Sequence, residues 1–64
     1  MATVNRKKLT VTFKNIMNES QSDDVTYAAN RAKCEYDVFD YNTKIVVKAK
    51  NEKQLDEFIK LYNA

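Results

Sequence analysis

The chain has 64 residues, enough for a single small domain of residues 1–64 and too few for a large enclosed active site. Its net charge of +2 is small, and only Arg6 and Arg31 among its basic residues are arginine, which is not typical of a dedicated nucleic-acid binder. It has no histidine, no glycine and one cysteine, which excludes the usual zinc sites, the histidine-dependent catalytic arrangements and the glycine-rich phosphate loops.

The first half of the chain predicts a flexible start, one strand and one helix. Residues 1–7 are predicted to be a flexible N-terminus. Strict alternation of apolar and polar residues from Lys8 to Asn15 predicts a half-buried strand. Ser22 is a good N-cap, and helical spacing of apolar residues predicts a helix from about Asp23 to Lys33 or Glu35. A strand is the competing interpretation, because Val25-Thr26-Tyr27 has β propensity.

The second half predicts a hairpin and a second helix. Residues 36–41 and 43–50 alternate as two strands around a tight turn near Asn42, since asparagine tolerates the left-handed conformation. Asn51 then begins a helix as its N-cap, with Gln54 at a capping-box spacing. Its apolar stripe consists of Leu55, Phe58, Ile59 and Tyr62.

These elements predict an α+β fold of two layers. Their order is β-α-β-β-α, with two helices on one face of a three-stranded sheet around a single core. The predicted core consists of Leu9, Val11, Phe13, Val25, Ala29, Ala32, Val38, Ile45, Val47, Leu55, Phe58 and Ile59.

The face of the sheet opposite the helices is the candidate functional surface. A two-residue turn, Asn42-Thr43, would pair Tyr41 with Lys44 and Phe39 with Val46. The outer face would then carry exposed aromatic and lysine side chains, which we call the aromatic–lysine patch: Phe39, Tyr41, Lys44, Val46 and Lys48. A three-residue loop would instead turn Phe39 and Tyr41 inward.

The aromatic–lysine patch is compatible with two kinds of partner. Its apolar side chains could anchor a protein, whereas stacked aromatics among cations could bind single-stranded nucleic acid, with Lys8, Lys14 and Lys50 as further candidate contacts. The open edges of a small sheet would also allow a homodimer. The carboxylate pairs Asp23–Asp24 and Asp37–Asp40 we assign to helix capping and to strand surface.

Composition also indicates a compartment and a source. Cys34 cannot form an internal disulfide, no apolar run approaches the ~20 residues of a membrane span, and Met1 to Lys8 leads into no signal-type segment. We therefore predict a cytoplasmic protein without a membrane partner. The absence of glycine and proline beside abundant lysine and asparagine suggests an AT-rich genome such as many phages carry.

Together these observations predict a function. We expect a small non-enzymatic accessory or regulatory protein, phage-encoded, that binds a protein in the host cytoplasm and modulates it, most simply as an inhibitor. The alternative is a nucleic-acid-binding module that uses the lysine and aromatic face. Neither of these predicted functions requires a metal or a cofactor.

Overall fold

A computed structural model describes residues 2–41 and 43–63 of the chain. Its elements in chain order are β1 (Ala2–Asn5), β2 (Thr10–Phe13), α1 (Glu19–Arg31), β3 (Glu35–Phe39), β4 (Lys44–Lys48) and α2 (Glu52–Asn63). The strands form one sheet in the order β1-β2-β4-β3, with every neighbouring pair antiparallel. The predicted α+β class is confirmed, but the sheet has four strands where the sequence predicted three.

The additional strand is β1, which lies in the segment predicted to be a flexible N-terminus. Its Ala2 pairs with Phe13 and its Asn5 with Thr10, although all four of its side chains are exposed. The turn that follows contacts α2, because a guanidinium nitrogen of Arg6 donates to Asp56 at 2.8 Å. Both partners of this ion pair are more than half exposed, so its stabilisation is modest. Met1 lies outside the described residues.

The core forms where one face of the sheet meets both helices. Val11 and Phe13 of β2 and Ile45 and Val47 of β4 are at most 2% exposed and lie in one cluster with residues of α1 and α2. Phe13 also packs against two aromatic rings of α2, with centroids 6.1 Å from Phe58 and 5.0 Å from Tyr62. The buried cluster is Val11, Phe13, Ile16, Val25, Ala28, Ala29, Ala32, Cys34, Ile45, Val47, Leu55 and Phe58.

The predicted core is correct except at its margins. Leu9 and Ile59 are only half-buried, and Val38 is 42% exposed because it lies on β3, an edge strand. The core also contains Ile16, Ala28 and Cys34, which were not in the predicted set. Asn15 before Ile16 adopts a positive φ of 57°, which interrupts the strand alternation, and the Ile16 N–H donates to the Thr43 carbonyl at 2.9 Å.

The first helix begins one turn earlier than predicted. The N-cap is Asn18, whose side-chain oxygen accepts from the Gln21 N–H at 2.8 Å, so Ser22 lies inside the helix. Both residues are good caps, and each is followed by an acidic residue that the helix dipole favours, Glu19 after Asn18 and Asp23 after Ser22. The competing prediction of a strand through residues 25–27 is wrong, because Val25 is buried as part of α1.

The second helix begins as predicted, and its first turn also fixes the end of α1. The Gln54 N–H donates to the Asn51 side chain at 2.8 Å, while the Gln54 side-chain oxygen accepts from the Lys50 N–H at 2.7 Å. The amide nitrogen of the same side chain donates to the Lys33 carbonyl at 3.0 Å. Gln54 therefore caps α2 and holds it against the end of α1.

Five described residues adopt positive φ in a chain that has no glycine: Leu9, Asn15, Lys33, Asp40 and Tyr41. Lys33 follows the end of α1 in a Schellman arrangement. The Cys34 N–H donates to the Ala29 carbonyl at 2.8 Å, and the Lys33 N–H donates to the Asn30 carbonyl at 3.2 Å. A left-handed residue with a side chain costs about 1–2 kcal/mol, so glycine is the better fit at this position.

Replacing Lys33 with glycine should therefore stabilise the protein. The relief of strain exceeds the entropy cost of glycine in the unfolded chain, leaving a gain of about 0.5–1 kcal/mol, or roughly 2–8 °C in Tm. Thermal unfolding followed by circular dichroism measures this shift. Lys33→Ala is the matched control, since it removes the same side chain but keeps the strain. A glycine variant less stable than the alanine variant would contradict the left-handed end of α1.

Candidate functional site

One face of the sheet, which we call the open face, carries none of the buried core. The strand register aligns two rows of side chains across it: Thr3, Thr12, Val46 and Asp37 in one row, and Asn5, Thr10, Lys48 and Glu35 in the next. Each of these residues alternates along its strand with the residues that face the helices, and none of them is fully buried. The open face is therefore polar, with threonine and charged residues around Val46.

Four of the five residues of the aromatic–lysine patch lie on the open face. Phe39 pairs with Lys44 at one end of the β3–β4 hairpin, and the lysine nitrogen lies 5.6 Å from the centroid of the phenyl ring. Phe39 is 45% exposed, Val46 and Lys44 are half-buried and Lys48 is exposed. The predicted side of the sheet is thus correct for these residues, and one aromatic ring with a cation above it is available to solvent.

Tyr41 is the exception. The last pair of the hairpin is Phe39 with Lys44, so residues 40–43 form the connection, and the predicted pairings of Tyr41 with Lys44 and of Phe39 with Val46 are wrong. Asp40 and Tyr41 both have positive φ, and the tyrosine side chain is fully exposed at the tip of the hairpin. Asn42, which was predicted to form the tight turn, lies outside the described residues.

The charges of the open face are of both signs. Lys48 forms an ion pair with Asp37 at 3.0 Å, and Glu35 lies opposite Lys48 in the register. The positive charge predicted for this face is therefore partly neutralised by carboxylates of β3, which does not favour the approach of a phosphate backbone.

The three further lysines predicted as nucleic-acid contacts do not form a continuous stripe. Lys8, Lys14 and Lys50 are all exposed. Lys14 follows the pair of Phe13 with Ile45 at one end of β2, whereas Lys8 and Lys50 lie beyond the pair of Thr10 with Lys48 at the other end. Threonines and Val46 separate the two basic ends, so no single track of lysines crosses the face.

Sequence reasoning did not identify a second exposed surface beside the edge strand β3. An open groove of about 570 Å³ lies between the first turns of α1 and the β3–β4 hairpin. Met17, 87% exposed, and Val38, 42% exposed, contribute apolar surface to it. The two apolar residues Ile16 and Met17, which follow the first alternating segment, were the feature of the sequence that could have indicated this surface. Only the left-handed conformation of Asn15 shows that Ile16 points inward while Met17 remains outside.

Within residues 2–41 and 43–63 there is no group of three or more His, Cys, Asp or Glu side chains placed to hold a metal ion. The helices of that same part of the chain include none that is long and apolar enough to cross a membrane. The carboxylates of Asp23, Asp24, Asp37 and Asp40 are all exposed.

Cys34 is a core residue. It is 7% exposed, and its thiol lies 4.0 Å from the Ala32 carbonyl and 3.9 Å from that of Gln54. Burial raises the pKa of the Cys34 thiol above its ordinary value, because the thiolate is less well solvated inside the protein. This agrees with the interpretation of Cys34 as a small apolar side chain.

We compared the chain with known protein families, proteins and structures. No protein-family model, no curated protein and no solved structure matches the chain.

The position of Cys34 predicts both slow alkylation and a loss of stability in alkaline solution. Its raised pKa keeps the folded thiol protonated, so iodoacetamide should react more slowly with folded than with urea-unfolded protein at the same pH. Burial of the neutral thiol contributes its full stabilisation at pH values below the pKa of Cys34 in the unfolded chain. As the pH rises from that pKa to the higher pKa of the folded protein, this contribution is lost. Mass spectrometry of the alkylated fraction and urea unfolding at several pH values measure the two effects. Equal alkylation rates for folded and unfolded chains would contradict the burial.

Proposed function

We propose that the chain is a non-enzymatic regulatory protein that binds a host protein through the aromatic–lysine patch and inhibits it by covering its surface. The observation that carries the proposal is the exposure of two aromatic side chains at the end of the β3–β4 hairpin where the two strands are connected. There Phe39 is 45% exposed on the strand, and Tyr41 is fully exposed at the tip. Tyrosine and phenylalanine are both enriched in the cores of protein interfaces, and tyrosine is among the residues that contribute most to binding energy there.

The size of the chain supports inhibition by steric cover. A standard interface buries about 800 Å² on each partner, which is roughly one-sixth of the 4763 Å² that this chain exposes. A partner of ordinary size would therefore occupy most of one face of the molecule, whose dimensions are only 28 × 22 × 17 Å. Such a chain acts most simply by occluding a site on its partner.

The residue inventory supports a role without catalysis. The chain has no histidine, which is the most frequent general base, and its cysteine is buried with a raised thiol pKa. A phage-encoded protein acting in the host cytoplasm agrees with the composition and with the free thiol of Cys34.

Binding of single-stranded nucleic acid is the second candidate. The cation of Lys44 above the Phe39 ring favours it, since bases stack on such rings while cations meet phosphates. Asp37 and Glu35 on the same face disfavour it, because both place negative charge beside the lysines. We therefore rank it below protein binding.

The protein-binding proposal predicts that Phe39→Ala combined with Tyr41→Ala abolishes partner capture. Loss of two aromatic anchors should weaken binding roughly thirtyfold or more. Pull-down from host lysate, followed by titration of the recovered partner in a calorimeter, measures the change. Tyr27→Ala is the matched control, since Tyr27 is an aromatic residue of α1 that is 64% exposed and lies outside the patch. Unchanged recovery with the double variant would show that the patch is not the binding site.

The nucleic-acid alternative has a separate test. Fluorescence anisotropy with single-stranded and double-stranded DNA and RNA at two salt concentrations should show no saturable binding if the protein-binding proposal is correct. Binding that weakens steeply with salt and is lost in Lys44→Ala would instead support the alternative, because lysine contacts to phosphates release counterions. Light scattering of the same samples distinguishes a monomer of 7.5 kDa from a homodimer.

A further inference from the structure

The edge strand β3 is open on the side away from β4. It lies at the end of the strand order and pairs only with β4 among the described residues. An antiparallel strand with one free side presents backbone N–H and C=O groups that an incoming strand can pair with. No proline lies in the chain to block such pairing.

A groove runs beside this free edge on the helix side of the sheet. Its apolar part includes Met17 and Val38, which are 87% and 42% exposed, while Tyr36 is half-buried against the core. Because side chains alternate along a strand, every second residue of an added strand would point into this groove and the others would point toward the open face. The groove therefore favours apolar side chains at alternate positions of the incoming strand.

The charge around the edge is negative although the whole chain is positive. Glu19 and Asp23 of α1 line the groove, and among the residues that the structure describes no lysine or arginine lines it. On the open-face side, Glu35 and Asp37 project from β3 itself. The residues of an incoming strand that point toward the open face would thus meet carboxylates, which favours lysine or arginine there.

The strand that already occupies the other side of β3 shows the pattern that β3 accepts. In β4, Ile45 and Val47 point to the core, while Lys44, Val46 and Lys48 point to the open face, so two of the three open-face positions are basic. Lys48 forms the ion pair with Asp37, and Lys44 lies over Phe39. Alternating basic and apolar residues therefore match the side chains that β3 presents on its two faces.

We propose that the free edge of β3, with the groove between β3 and α1, binds an extended segment of a partner protein that alternates basic and apolar residues. The segment adds to the sheet as a further strand beside β3. Its apolar side chains enter the groove next to Met17 and Val38, and its basic side chains lie opposite Glu35 and Asp37. The occupant is a basic peptide because nucleic acid would be repelled by these carboxylates. Neither edge strand of a second copy supplies basic side chains, since β1 carries no charge and β3 carries Glu35 and Asp37.

This inference does not depend on the aromatic–lysine patch as the main binding site. The groove shares Tyr41 with the patch, so the test uses Glu35 and Met17, which lie outside the patch. Met17 is largely exposed and Glu35 is exposed, so their substitution should leave the fold intact.

A labelled short peptide of alternating lysine with isoleucine or valine tests the proposal, and a peptide with glutamate in place of lysine is its control. Titration into ¹⁵N-labelled protein should shift the amide signals of β3 and of the first turns of α1, and leave those of β1 unchanged. In fluorescence anisotropy, Glu35→Lys should weaken binding about fivefold, as reversal of one cross-strand charge pair implies. Met17→Ser should also weaken it, while Glu57→Lys on the exposed side of α2 should not.

Three results would overturn the proposal. The first is the absence of binding, and the second is equal binding of the glutamate peptide. The third is a set of shifts centred on Thr12 and Val46, which would place the peptide on the open face and not at the edge of β3. If the peptide does not bind but a host protein is still captured, this inference alone is refuted. If the peptide binds but no host protein is captured, only the proposed function is refuted.

Discussion

The pairing of β3 with β4, with Phe39 opposite Lys44, determines which side chains reach each face of the sheet. It directs Ile45 and Val47 toward the helices and leaves Lys44, Val46 and Lys48 on the open face. A slip by one residue would place two lysines in the core and expose two buried aliphatic side chains, at a cost of several kcal/mol. The hydrophobic pattern of β4 therefore determines which side chains the open face presents to solvent.

The side of the sheet could be predicted from the sequence, although the turn could not. The observed connection spans residues 40–43, two residues more than predicted, and a change of two preserves the alternation of faces. Phe39 consequently stays on the open face, while Tyr41 moves from a strand position to the hairpin tip. The start of α2 was also predictable, because Asn51 and Gln54 form the local hydrogen bonds that their spacing implies.

The features that the sequence did not predict depend on backbone conformations and long-range contacts that no short sequence pattern indicates. The strand β1 contains only Ala2 and Val4 as apolar residues, too few to define alternation, and is held by pairing with β2. Asn18 and Ser22 are equally suitable caps, and only the folded structure distinguishes them. Asn15 belongs to a residue type that tolerates the left-handed conformation but does not require it, and Lys33 belongs to one that seldom adopts it. Their positive φ was therefore not predicted, and neither were the burial of Ile16 and the groove beside Met17.

The open face follows from covering a four-stranded sheet with two helices on one side, and the free edge of β3 follows from its place at the end of the strand order. Nuclear Overhauser contacts in the isolated protein measure most directly which faces of β3 and β4 point toward the helices. We predict contacts between the Phe39 ring and Lys44 and between the methyl groups of Val46 and Thr12. Neither Phe39 nor Val46 should contact protons of α1 or α2. Contacts from the Phe39 ring to either helix would show that β3 presents the opposite face to the core.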